Sequence, residues 1–197
     1  MRAIALIIIC LLVPWHSVSA AKGEKDKGEK WRRNTQLLPQ YCKDRAKGRN
    51  TAEWKRWSNT FGTATIHIHH YCAGIYAQQE VRTSLDQGVR KRELGNVVHQ
   101  MKYVGAHCGT DCVLYPELHT RWGWALAEQG EAAEAIQHYQ LAIKAQPKYS
   151  QAYAQLSDLY VELKQPEEAR KVLESGLEAK PKSRMLQRRL QELGKAE

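Results

Sequence analysis

The chain has 197 residues, with 30 Lys and Arg against 21 Asp and Glu, so its formal net charge is +9. This length predicts one domain or two small ones. Hydrophobic residues make up 43% of the sequence and the only long apolar run is at the N-terminus, which excludes both a wholly disordered chain and a protein that crosses a membrane many times.

The first predicted element is a secretory signal peptide over residues 1–20. Arg2 gives it a positive start, and residues 3–14 are almost purely apolar. Val18 and Ala20 are small residues at the positions that precede cleavage, which we expect after Ala20 or Ala21. Because a membrane-spanning helix needs about 20 apolar residues, an uncleaved anchor is the weaker interpretation. We therefore expect an exported protein, in the periplasm of a Gram-negative bacterium.

Residues 21–36 form a charged segment that we expect to be a flexible leader. Residues 22–57 hold 12 basic and 5 acidic residues, so most of the net charge lies near the N-terminus. Such a run is more often a solubilising tail than a binding arm. If it does bind, anionic envelope polymers or lipid headgroups are the expected partners, since an exported protein does not normally meet nucleic acid.

Residues 37–115 are predicted to form a helical segment that packs on the C-terminal half. The mature chain has four cysteines, Cys42, Cys72, Cys108 and Cys112. An even number in an exported chain favours two disulfides. Sequence leaves three pairings open, of which we favour Cys42–Cys72 with Cys108–Cys112.

The histidines of the segment TATIHIHHYCAG, which spans residues 63–74, suggest a second function. His67, His69 and His70 lie within six residues of chain that also include Cys72, and imidazole and thiolate suit zinc or copper. Disulfide formation would remove the thiolates, so buried, hydrogen-bonded histidines are the favoured interpretation. A thiol-redox role for Cys108 and Cys112 is a third possibility. We find no catalytic motif and expect neither an enzyme nor a cofactor.

The C-terminal half repeats with a period of 34 residues. Pro147 and Pro181 are 34 apart, and so are Ala135 and Ala169. Residues 116–149 and 150–183 each show two stretches with the apolar spacing of a helix, and residues 184–197 show one more. Two units bury little apolar area alone, so the preceding helix must pack on the first of them. Leu85, Val89, Val97, Val98, Met101 and Val104 are spaced for that contact.

This pattern resembles the tetratricopeptide repeats. At the positions of the repeat pattern, the first unit shows His119, Trp122, Gly123, Leu126, Ala135, Tyr139, Ala142 and Pro147, and the second shows Tyr153, Leu156, Ser157, Tyr160, Ala169, Leu173, Gly176 and Pro181. His119 replaces the usual aromatic residue and Trp122 the usual leucine. The resemblance implies an all-α fold, an antiparallel helix-hairpin solenoid with an N-terminal helical extension and a capping helix over residues 184–197. The LPxYC and HiHHYC segments together with these repeats also resemble exported bacterial proteins of no known activity.

The resemblance further implies that a partner protein or peptide binds the concave face of the solenoid. The outward positions would be Glu117, Thr120, Trp124, Glu128, Gln151, Asp158, Glu162 and Arg188. This set is acidic with one aromatic residue, which favours a basic or apolar segment. The Lys and Asn residues that hold a peptide carboxylate in the chaperone-binding members are missing, so that class of partner is not expected. The predicted function is a monomeric, exported scaffold for protein–protein contact, with periplasmic copper or zinc binding as the alternative.

Overall fold

The computed structural model describes residues 30–32 and 34–196. The predicted signal peptide and most of the charged leader therefore lie outside the described residues. Every regular element within the described ranges is helical. None of the described helices has the length and hydrophobicity that a membrane span requires.

Within residues 34–114, which the structure describes throughout, four α-helices precede the repeats: α1 (Gln40–Ala46), α2 (Ala52–Phe61), α3 (Ile68–Thr83) and α4 (Gln87–Gly105). A 3₁₀ helix, Gly62–Ile66, joins α2 to α3. Helices α2 and α4 have side-chain N-caps. The Thr51 hydroxyl accepts a hydrogen bond from the Trp54 amide, and the Asp86 carboxylate accepts one from the Val89 amide. Each cap satisfies a backbone donor that the first turn of a helix would otherwise leave free.

The repeat region continues as α5 (Tyr115–Glu128), α6 (Ala132–Ala145), α7 (Ser150–Glu162), α8 (Pro166–Ala179) and α9 (Arg184–Ala196). The helices α5 and α6 pair with each other, as do α7 and α8, and α9 packs on both α7 and α8. Gly130, with φ of 86°, lies in the turn between α5 and α6, where its lack of a Cβ permits the left-handed backbone.

A continuous apolar core joins the N-terminal helices to the first repeat. It includes Val97 and Met101 of α4 together with Leu118 and Ala125 of α5. The expectation that α4 packs on the first repeat is therefore confirmed, with one exception. Leu85 is 96% exposed because it precedes the start of α4 and so does not share the buried face of that helix.

Trp31 also belongs to this core. It is 2% exposed and residues 30–32 are helical, so the prediction of a flexible leader was wrong at its C-terminal end. Nearby, the Lys30 Nζ atom lies 2.7 Å from the Glu80 carboxylate on α3. Burial of the indole explains why this end of the segment is ordered. The free energy gained by burying a large aromatic side chain outweighs the preference of the neighbouring charged residues for solvent.

The helices of each repeat cross at small residues. A Cβ placed on Gly123 would lie 2.9 Å from Tyr139 Cε1 and 3.0 Å from the backbone oxygen of Ala135. A Cβ on Gly176 would lie 2.8 Å from Tyr153 Cγ. These distances are shorter than real Cβ contacts, so the helices could not approach this closely around a larger residue.

Two disulfides confirm the favoured pairing of the cysteines. Cys42 is bonded to Cys72, which ties α1 to α3 with their Cα atoms 5.6 Å apart. Cys108 is bonded to Cys112 in the loop before α5. All four predicted cysteines are therefore used, and no thiolate remains among them for redox or metal chemistry in this state.

A histidine pair lies where α5 crosses α6. The Nδ1 atoms of His119 and His138 are 2.7 Å apart, so one ring must donate a proton to the other. Trp122 stacks on His138 with 4.1 Å between ring centroids. Burial lowers the pKa of both histidines to about 4, and for His119 repulsion from His138 adds to the effect. Both rings are therefore neutral at pH 7.

Candidate functional site

A groove of about 370 Å³ lies at the junction of the N-terminal helices and the repeats. We call it the junction groove. Helix α3 contributes one side, α5 the floor, and the start of α7 with the residue before it the other side. It is lined by Gln78, Arg82, Glu117, Thr120, Arg121, Trp124, Tyr149, Gln151 and Gln155.

Arg121 organises the floor of the junction groove. Its Nε and Nη2 atoms donate to Glu117 Oε1 at 2.9 and 2.6 Å, and its Nη1 atom donates to Gln78 on α3. Burial by itself would lower the pKa of Arg121, but Tyr71 and the Glu117 carboxylate raise it more. Arg121 therefore stays charged and fixes α3 against α5.

Arg82 and Trp124 form the more accessible part of the junction groove. The Arg82 guanidinium lies over the Trp124 ring, 5.2 Å from its centroid, an arrangement that attracts a cation to the face of an aromatic ring. Burial, with repulsion from Arg121, lowers the pKa of Arg82. Arg82 is exposed at the rim, so its donors face solvent within reach of a ligand.

Four of the predicted partner-binding residues meet in this groove, and the other four do not. Glu117, Thr120, Trp124 and Gln151 line it. Glu128 instead accepts a hydrogen bond from Arg90 at 3.1 Å, and Asp158 accepts two from Arg189. Glu162 is exposed further along α7. Arg188 lies 3.7 Å from Glu192.

Residues 126–192 match the sequence profile of the tetratricopeptide repeat family. This range runs from the end of α5 into α9. It contains α6, the α7–α8 pair and the close crossing at Gly176, but only the last residues of α5. Residues 126–192 therefore form tetratricopeptide repeats. The fold is thus an all-α helix-hairpin solenoid, as expected from the sequence.

Known structures and curated sequences give two further comparisons. Among solved structures, the chain is similar to the first tetratricopeptide repeat domain of Spaghetti (RPAP3) bound to the HSP90 peptide SRMEEVD, at 20% identity and a TM-score of 0.46. That likeness covers 62% of this chain and 94% of the other. No curated protein sequence matches the chain.

The predicted binding surface differs from the expected one at two points. Thr120 is 4% exposed and its hydroxyl donates to the Pro116 backbone oxygen, so little of this side chain is available to a partner. The junction groove is also not acidic. Its lining holds two cations, Arg82 and Arg121, against one carboxylate, Glu117, so the preference for a basic segment does not apply to it.

Sequence reasoning missed the residues that come from outside the helices of the tetratricopeptide repeats. Gln78 and Arg82 belong to α3, and only tertiary packing brings them to α5. Tyr149 lies in the connection before α7. The sequence does indicate the Arg121–Glu117 ion pair, because the two residues are four apart, the spacing at which opposite charges meet on a helix.

The predicted metal ligands do not form a metal site in the part of the chain described. His67 stacks on His107 with 4.1 Å between ring centroids, and His70 Nδ1 lies 2.7 Å from Gln100 Oε1. His69 Nδ1 contacts the Ile66 backbone oxygen at 3.0 Å. No group of three or more His, Cys, Asp or Glu ligands comes together there.

Proposed function

We propose that this protein is an exported scaffold that binds a segment of another protein in the junction groove, without catalysing a reaction. Tetratricopeptide repeats are scaffolds for protein–protein contact, and residues 126–192 form them. The observation that supports the groove in particular is its composition. A half-exposed Trp124 lies among polar side chains from three separate elements.

The lining suits an extended peptide. Gln78, Gln151 and Gln155 carry amides, which can donate to and accept from a peptide backbone. Trp124 offers an aromatic face of the kind that anchors interfaces. A volume of about 370 Å³ is at the lower end of the range for ligand pockets. The groove therefore has room for a few residues of a partner, and the rest would extend over the surface.

A pair of matched variants tests the groove. Gln155→Trp fills it, whereas Gln140→Trp places the same side chain on the exposed surface of α6. Partners are captured from envelope extract with each purified protein and identified by mass spectrometry. We expect a protein that wild type and Gln140→Trp retain and Gln155→Trp loses. Equal capture by both variants would contradict the groove as the binding site.

A separate experiment tests export. The chain is produced with a C-terminal tag in a Gram-negative host, and the N-terminus of the purified protein is sequenced. We expect it to start at residue 21 or 22 and to fractionate with the periplasm. An N-terminus at Met1 with recovery in the cytosol would contradict export while leaving the proposed groove in place.

A further inference from the structure

A second cleft, of about 390 Å³, lies between α1 and α2. We call it the α1–α2 cleft. It shares no lining residue with the junction groove, so it can bind a ligand of its own. Its lining combines one aromatic side chain with polar side chains from these two helices and from the residue after α1, and it includes Gln40, Asp44, Lys47, Glu53, Arg56 and Trp57.

Asp44 is the buried carboxylate of the α1–α2 cleft. It is 3% exposed and accepts a hydrogen bond from Trp57 Nε1 at 3.0 Å. Lys47 Nζ at 3.0 Å and Gln40 Nε2 at 2.9 Å also donate to it. Burial by itself would raise the pKa of this carboxyl group, but the three donors lower it. A carboxylate has about four acceptor positions, so Asp44 is held ionised and in a fixed direction with capacity for one more donor.

Trp57 gives the α1–α2 cleft an apolar surface. Its ring N–H is used by Asp44, so the half-buried indole offers a ligand only carbon surface. Tyr41 and Phe61 pack against this ring, with 5.8 and 5.9 Å between ring centroids. These contacts fix the position of the indole, which is what makes an aromatic surface useful for orienting a ligand.

Two opposite charges of the α1–α2 cleft are free to bind a ligand. Glu53 and Arg56 are one turn apart on α2, and within the described residues neither side chain has a hydrogen bond or an ion pair. Arg56 supplies N–H donors and Glu53 supplies acceptors. Together with the Lys47–Asp44 ion pair, they give the lining two cations and two carboxylates. A ligand with a net charge would therefore be attracted by one half of the lining and repelled by the other.

We propose that the α1–α2 cleft is a binding site for a carbohydrate, which it recognises through neutral sugar units. A pyranose ring has C–H groups on its faces, which suit the carbon surface of Trp57. Its hydroxyls both donate, to Asp44 and Glu53, and accept, from Lys47 and Arg56. The volume of about 390 Å³ is at the lower end of the range for ligand pockets, so the cleft suits a short oligosaccharide or one end of a longer glycan.

The test titrates the purified protein with three neutral trisaccharides, namely maltotriose, cellotriose and triacetylchitotriose. Saturation-transfer NMR detects binding, and isothermal titration calorimetry measures the Kd. Neutral sugars are used because an acidic polysaccharide would also respond to the surrounding basic residues. Glu53→Gln and Arg56→Gln each remove one charge from the cleft. Lys55→Gln is the matched control, because Lys55 is exposed on the same helix, next to Arg56, and does not line the cleft. Thermal unfolding without sugar checks that each variant is folded.

We expect saturable binding of at least one trisaccharide by wild type and Lys55→Gln. The Kd should be about tenfold higher in Glu53→Gln and in Arg56→Gln, the effect of one lost hydrogen bond to a charged group. Gln155→Trp, which fills the junction groove, should bind the sugar as wild type does. Absence of binding to all three sugars, equal loss in Lys55→Gln, or full binding in both cleft variants would overturn the proposal. Loss of binding in Gln155→Trp would also overturn it, because the sugar would then occupy the junction groove.

Discussion

The closest helix crossing in the first repeat offers a quantitative test of the packing. Gly123→Ala adds a methyl group at a point where Tyr139 and the backbone oxygen of Ala135 are 2.9 and 3.0 Å from the new Cβ. A backbone oxygen within a helix cannot move as freely as a flexible side chain, so α5 and α6 must separate. Overpacking of this kind costs about 1–3 kcal/mol.

The same substitution also raises helix propensity, and a control variant can measure that favourable effect separately. Alanine is about 1 kcal/mol better than glycine inside a helix. Gly95 lies in α4, is exposed, and a Cβ there would meet nothing within 4 Å. Gly95→Ala should therefore show only the favourable effect. The difference between the two variants isolates the cost of the crossing.

We expect Gly95→Ala to be more stable than wild type and Gly123→Ala to be less stable than Gly95→Ala by about 1–3 kcal/mol. Urea unfolding followed by circular dichroism measures both free energies of unfolding. For a chain of this size, 1 kcal/mol moves the midpoint of thermal unfolding by about 2–4 °C. If Gly123→Ala gains as much stability as Gly95→Ala, the close crossing does not exist and the reasoning is refuted.

Three further predictions concern the buried rings, the disulfides and metal. Because the pKa of His119 and His138 falls to about 4 in the folded state, the unfolded chain binds more protons than the folded chain between pH 6.5 and 4. The free energy of unfolding should therefore fall as the pH decreases through this window. Urea unfolding at several pH values checks this, and His119→Phe should flatten the dependence. Replacing both cysteines of the Cys42–Cys72 bridge with alanine should lower the free energy of unfolding by about 3–4 kcal/mol, against about 2 kcal/mol for the Cys108–Cys112 bridge. The reason is loop length, because 30 residues separate the first pair and 4 the second. An equal loss in the two double variants would contradict this explanation. Elemental analysis of the purified protein should find no stoichiometric zinc or copper, whereas one equivalent that disappears in His67→Ala would support the metal alternative.

Local patterns in the sequence were sufficient for the repeats. Contacts within one helix pair select the small residues at Ala135 and Ala169 and the closing prolines at Pro147 and Pro181. These residues therefore recur with the 34-residue period. The two disulfides followed from the number of cysteines. The His67–His70 segment gave the opposite result, because ligand types close in sequence say nothing about the direction of their rings.

The sequence by itself determined that the chain builds helix pairs, because apolar periodicity and small residues at crossings act over one or two turns. Tertiary structure alone decided where the candidate sites lie. Gln78 and Arg82 reach α5 only after the N-terminal helices pack. The reason is that charge–charge interactions depend on distance in space. A charged side chain becomes buried only when another element packs over it, which the sequence does not show.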